Sequence, residues 1–329
     1  MSFQTEKALV LAHHAALDRA RPDDVPDILA ARTSPDWLWR GMHPFHERRG
    51  ADAVSRSFWT PFLQSMSAVQ RRPDIFFAGR NELAAGGVWV VQMGHLMGLL
   101  DAPFLGIPPT HRIAMLRYAE FNRVEGDRIV ETAFFCDLPH LMRQAGLDPF
   151  PEQTAQHLVQ PGPRTHDGLL LADADPAEGA ATLALIETMI GDIDMRERFD
   201  GPEAELARCW HDDMIWWGPE GIGATYTIPR YIAQHQRPFR EELSDRAFNG
   251  HVARVAEGSY GGFFGWPNLT LTNAGRYLGV DGDGTTRADM RVVDLYRREG
   301  DKLAENWIFI DLLHFLNMQG VDVLAGLSP

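Results

Sequence analysis

The chain has 329 residues, 45% apolar and 23% charged, a globular profile too long for one ordinary core and suited to two domains. Its 31 basic and 45 acidic residues give a formal net charge of −14, a field that repels phosphate backbones and anionic membranes, so neither nucleic acid nor membrane is expected as a partner. No apolar run approaches the roughly 18 residues of a membrane helix, MSFQTEKALV has no leader-like pattern, and two cysteines without a CxxC spacing fit a reducing, cytoplasmic setting.

Along the chain, residues 4–20 carry apolar positions at helical spacing, and 51–66 resemble a further helix. Between them, residues 37–46 (WLWRGMHPFH) join an aromatic stretch to a turn with Gly and Pro. Strand signals follow at 75–79, 83–95 and 113–124. Glu125-Gly126-Asp127 is a turn signal, because glycine takes positive φ cheaply, and 128–136 completes a hairpin. Asp137 is placed to cap a short helix that Gly146 ends. Residues 148–177 begin rich in Pro, Gly, Gln and Asp and read as a linker. The same succession then returns. Helices are expected at 178–190 and 227–243, an aromatic turn at 214–223 (MIWWGPEGIG) and a strand at 247–257. Strands at 287–298 and 302–310 flank Glu299-Gly300-Asp301, and Asp311 precedes a helix that Gly320 ends.

That return is an internal repeat. Residues 117–148 set against 291–322 share twelve identities, among them Arg117/Arg291, Glu131/Glu305, Asp137/Asp311 and His140/His314. Unrelated windows of this length share about two. The period is too long for a solenoid, so each copy is a domain. We place the first domain at 1–155, a linker at 156–177 and the second domain at 178–329. Helices followed by a run of antiparallel strands predict an α+β fold, a curved sheet with helices packed on it.

Gly94-His95-Leu96-Met97-Gly98 followed by Leu105-Gly106-Ile107-Pro108-Pro109-Thr110 resembles the signature of SnoaL-like polyketide cyclases, in the nuclear-transport-factor-2-like superfamily. The downstream series Arg297, Gly300, Leu303, Glu305, Trp307, Asp311 is similar to the family's closing pattern, with Ala133 at the Trp position of the first copy. The resemblance implies two cone-shaped domains, each with a pocket, and acid–base catalysis without metal or cofactor. It also shows a departure. The family's catalytic aspartate falls on Phe134 and Ile308, and its partner histidine on Glu120 and Asp294.

Glu120 and Asp294 are therefore the leading acid–base candidates, mid-strand carboxylates whose pKa burial in a pocket would raise. Their alternative is pairing with Arg117 or Arg291. His95 is the third catalytic candidate, as a proton shuttle or as a fixing point for loop 99–110. Expected pocket walls are Trp39, His43, Trp89, Tyr118 and Phe134 in the first copy, and Trp216, His235, Asn306 and Ile308 in the second. His43, His46, His211 and His235 lack a metal-ligand spacing, so no metal is expected. The expected function is a cofactor-independent cyclase, isomerase or lyase acting on a small hydrophobic carbonyl compound. A non-catalytic binding protein is the alternative, as is a hydrolase that activates water with a carboxylate and Arg117 or Arg291. The two halves are expected to pack sheet to sheet as an intrachain pseudo-dimer, with further homo-oligomerisation left open.

Overall fold

Both Glu-Gly-Asp hairpins form, and each becomes the middle of a sheet. The computed structural model describes residues 2–156 and 161–327, so residues 157–160 of the expected linker and the extreme ends of the expected domains lie outside the described residues. The first sheet holds β1 (Thr33–Gly41), β2 (His46–Arg49), β3 (Met66–Arg80), β4 (Val88–Leu100), β5 (Ile113–Glu125) and β6 (Arg128–Cys136), in the order β2-β1-β6-β5-β4-β3. The second holds β7 (Trp210–Trp217), β8 (Ala224–Tyr226), β9 (Leu243–Phe248), β10 (Ala253–Glu257), β11 (Tyr260–Asn273), β14 (Arg287–Glu299) and β15 (Lys302–Ile310). Its order is β10-β11-β14-β15-β7-β8, with β9 also on β11. The short pair β12 (Arg276–Tyr277) and β13 (Val280–Asp281) stands apart. Helix Gln4–Leu17 and the helical run 51–65 cover the first sheet, and Pro176–Asp194, Pro202–Cys209 and the run 228–242 cover the second. The chain is two α+β cones.

Successive strand residues point to opposite faces, and both hairpins use this alternation in the same way. On β5, Leu116, Tyr118 and Val124 point into the first cone, while Ala119 and Phe121 point outward. On β14, Met290, Val292 and Tyr296 point into the second cone, while Val293 and Leu295 point outward. The outward faces meet. Phe77, Val91, Phe121 and Phe135 share one apolar cluster with Val255, Phe264, Leu295 and Trp307. The Phe264 ring lies 5.2 Å from Phe121 and 5.4 Å from Trp89. Lys7 of the first helix reaches across to Glu257 at 2.7 Å, with both side chains buried.

Several expected boundaries need correction. The strand expected at 83–95 starts at Val88, after an irregular turn. The one expected at 247–257 is two strands broken around Gly250. The aromatic runs at 37–46 and 214–223 open as strands β1 and β7, paired parallel to β6 and β15. Strand β11 was not expected, because Gly261, Gly262, Gly265 and Pro267 obscure it. Glycine is required there: a Cβ on Gly262 would stand 2.4 Å from the Asp294 carbonyl oxygen. Gln156 bridges to Ala224 and Leu169 bridges to Phe76, so the segment between the cones touches both sheets.

Candidate active site

The inner face of the second sheet opens on a cavity of about 570 Å³, within the usual range for small-ligand sites. Val292, Asp294 and Tyr296 of β14 and Asn306, Ile308 and Ile310 of β15 form its floor. Trp216 of β7 adds to one wall, and Tyr231, His235 and Phe239 of the covering helices close over it. Cross-strand pairing sets the central geometry, with Asp294 opposite Ile308 and Tyr296 opposite Asn306. Asn306 Nδ2 donates to Asp294 Oδ1 at 3.1 Å and to the Leu295 carbonyl at 3.0 Å, which fixes both the amide and the carboxyl.

Burial pushes the Asp294 pKa up to about 7, and the hydrogen bonds of Asn306 and Tyr296 only partly oppose it. The phenols of Tyr231 and Tyr296 are pushed above their ordinary value by burial and by Asp294, so they stay protonated donors. His235 stacks on Trp216 at 3.9 Å, and burial lowers its pKa to about 3, leaving a neutral ring. Glu205 and Arg240 pair at 3.3 Å on the cavity wall. The arrangement can take a proton at Asp294 and donate hydrogen bonds from neutral groups within a mostly apolar enclosure.

Aromatic rings pack the equivalent interior of the first cone. Phe134 stacks between Trp39 and Tyr118, with centroids 5.9 Å away on each side, and Phe58 approaches it to 4.8 Å. Glu120 holds the repeat position of Asp294, but its Oε2 lies 2.9 Å from His14 Nε2. Burial alone would raise its pKa. His14, with Arg71 nearby, outweighs that and holds the carboxyl at about 2.

Of the residues expected at a site, the structure brings together Asp294, Trp216, His235, Asn306 and Ile308. It places the others elsewhere. Glu120, Trp39, Tyr118 and Phe134 are packed inside the first cone. Trp89 lies between the sheets, and His95 shares that outward face of β4 with Val91 and Met93, its Nδ1 3.2 Å from Asp74. His43 sits at the domain junction, where its backbone N–H donates to Asp311. Arg117 and Arg291 are also between the sheets, stacked on Phe309 at 3.9 Å and Trp266 at 4.1 Å, so neither can serve a cavity hydrolase. Sequence reasoning missed Tyr296 and Tyr231. Tyr296 lies two residues after Asp294 on the same strand face, and Tyr231 lies four before His235, so both spacings carried a signal.

Residues 7–145 match the family model described as SnoaL-like polyketide cyclase. Among solved structures, the chain is similar to an NTF2-like protein from Burkholderia thailandensis E264, at 24% identity and TM-score 0.32, covering 43% of this chain and 95% of that one. It is also similar to AclR, a proposed hydroxylase from Streptomyces galilaeus (21%, TM-score 0.36, 44% and 98% covered). A third is IdmH, a proposed polyketide cyclase from Streptomyces antibioticus (17%, TM-score 0.35, 43% and 97% covered). No functionally curated protein matches the chain.

Proposed function

We propose, starting from the match of residues 7–145 to the SnoaL-like polyketide cyclase family, that the chain's chemistry resides in the cavity of the second cone. The reaction is cofactor-independent proton transfer of the cyclase or isomerase type, on a small hydrophobic carbonyl compound. The observation that carries this reading is Asp294, a carboxyl with no paired cation among the described residues, whose pKa burial raises to about 7. A base is most useful when its pKa lies near the working pH. Ionised Asp294 would remove the proton next to a carbonyl. The neutral phenols of Tyr296 and Tyr231 are the available donors to the oxyanion that then develops. Apolar walls at Val292, Ile308 and Ile310 favour a flat, weakly polar substrate and limit water at the base.

A generic probe tests the base without knowledge of the substrate. 5-Nitrobenzisoxazole opens by a single proton abstraction and suits an apolar cavity holding a carboxylate. The wild type should open it with a rate that rises through a midpoint near pH 7. Asp294→Asn should lose on the order of a hundredfold, the usual scale of a general base. Equal rates for wild type and Asp294→Asn would reject Asp294 as the base.

A further inference from the structure

We propose that His43, His46 and His314 form a binding site for a divalent metal ion of the zinc class, placed where the two domains meet. Each offers one ring nitrogen, and the three nitrogens lie within 4.8 Å of one another. Tetrahedral zinc with imidazole ligands needs nitrogens about 3.3 Å apart, given metal–nitrogen bonds of about 2.0–2.1 Å. Modest rotation of the rings closes that difference. The site joins separate parts of the chain: His43 lies in the turn from β1 to β2, His46 opens β2, and His314 lies on the last α-helix, Leu312–Met318. No local spacing reveals it, and the proposal departs from the sequence-based expectation of no metal.

Two observations support a ligand. First, His43 is 8% exposed, and its Nδ1 and the Nδ1 of His314 are buried without a hydrogen-bond partner. Buried polar atoms are normally satisfied, so unpartnered ring nitrogens on two members of one histidine cluster call for a partner. Second, the repeat supplies an internal control. Asp137 and Asp311 play the same part in the two halves, since each caps its helix and accepts a backbone N–H from the other domain, Glu220 and His43 respectively. Beside Asp137 the junction is closed by an ion pair between Glu220 and Arg143. Beside Asp311 the position of Glu220 is taken by His43, and residue 317, at the repeat position of Arg143, is Asn. The second junction has exchanged a carboxylate–guanidinium pair for imidazoles.

Nearby charge does not forbid a cation. Arg291 acts on all three rings, but its Nη1 lies 3.4 Å from Asp311, and Asp322 and Asp289 add negative charge close by. Three nitrogen ligands leave a fourth position for water. Because such an ion binds only the folded arrangement, it would act as a clip between the domains.

The test uses full-length, tag-free protein stripped with a chelator and titrated with Co2+ and then Zn2+. One equivalent of Co2+ should give the visible absorption of a tetrahedral nitrogen-ligated ion, and Zn2+ should displace it and raise Tm. His46→Ala and His314→Ala, checked for unchanged far-ultraviolet circular dichroism, should each weaken binding by roughly tenfold or more. His140→Ala, at the repeat position of His314, should leave the affinity unchanged. Absence of stoichiometric binding by the wild type would overturn the proposal. So would unchanged affinity in both His46→Ala and His314→Ala, or an equal loss in His140→Ala.

Discussion

Glu120 and Asp294 stand at one repeat position and differ in what faces them. Glu120 has His14 and Arg71, whereas Asp294 has an amide and phenols. Their pH signatures should therefore be opposite. The folded pKa of Asp294 is raised, so its contribution to stability is complete below about pH 3.8 and is lost as pH rises through 7. Asp294→Asn removes that loss. Its stability advantage over wild type should be absent at low pH and grow toward pH 8, to on the order of 4 kcal/mol at most. Urea denaturation at several pH values measures this, and a pH-independent difference would contradict the assignment. Glu120 is the reverse case. Its folded pKa is depressed, so its stabilisation is present above about pH 4.5 and lost as pH falls through 2. Glu120→Gln removes one partner of a buried pair and should cost about 3 kcal/mol at pH 7. Unchanged stability at pH 7 would show that the Glu120–His14 contact carries no weight.

The closing helices connect the two cones at the scale of elements. Asp311 accepts from the backbone N–H groups of His43 and His314, at 3.0 and 3.2 Å. Asp311→Ala leaves both donors without an acceptor and should cost about 2–4 kcal/mol. Hydrogen exchange at the His43 amide should accelerate in that variant, and an unchanged rate would deny the clasp. The hairpins and capped helices were legible because each rests on local signals: a Glu-Gly-Asp turn, alternation, and an acidic residue at a helix start. Asp294, Asn306 and Ile308 were legible as a group because alternate residues of paired strands share a face. Strand β11 was not, since its glycines are dictated by the approach of β14. The filling of the first cone was not legible either. Phe58, Trp59 and Phe62 come from a helix distant in sequence from Tyr118 and Phe134, and only packing shows that they meet. Alternation alone could have moved His95 and Trp89 to the outer face, had the register of β4 against β5 been fixed first.

At the scale of the whole molecule, the repeat has been kept as scaffold and divided in use. The first cone fills its interior with rings and supplies an outer sheet face. The second keeps a cavity behind the matching face. Phe121, Phe135, Phe264 and Trp307 are all nearly fully buried between the sheets. Each buried side chain of this kind contributes roughly 1.5–3 kcal/mol, so neither half should be stable alone. Calorimetry should show one cooperative transition for both domains. Phe264→Glu, which places a charge in that layer, should lower Tm sharply and split the transition. Two independent transitions in the wild type would contradict a shared core. The central claim is that Asp294 is a buried base poised near neutrality in the second cone. Carbon-13 NMR of the aspartate carboxyls, with Asp294→Asn as the assignment control, measures it directly. A titration midpoint near pH 7 is the predicted result, and a midpoint near pH 4 would contradict the account.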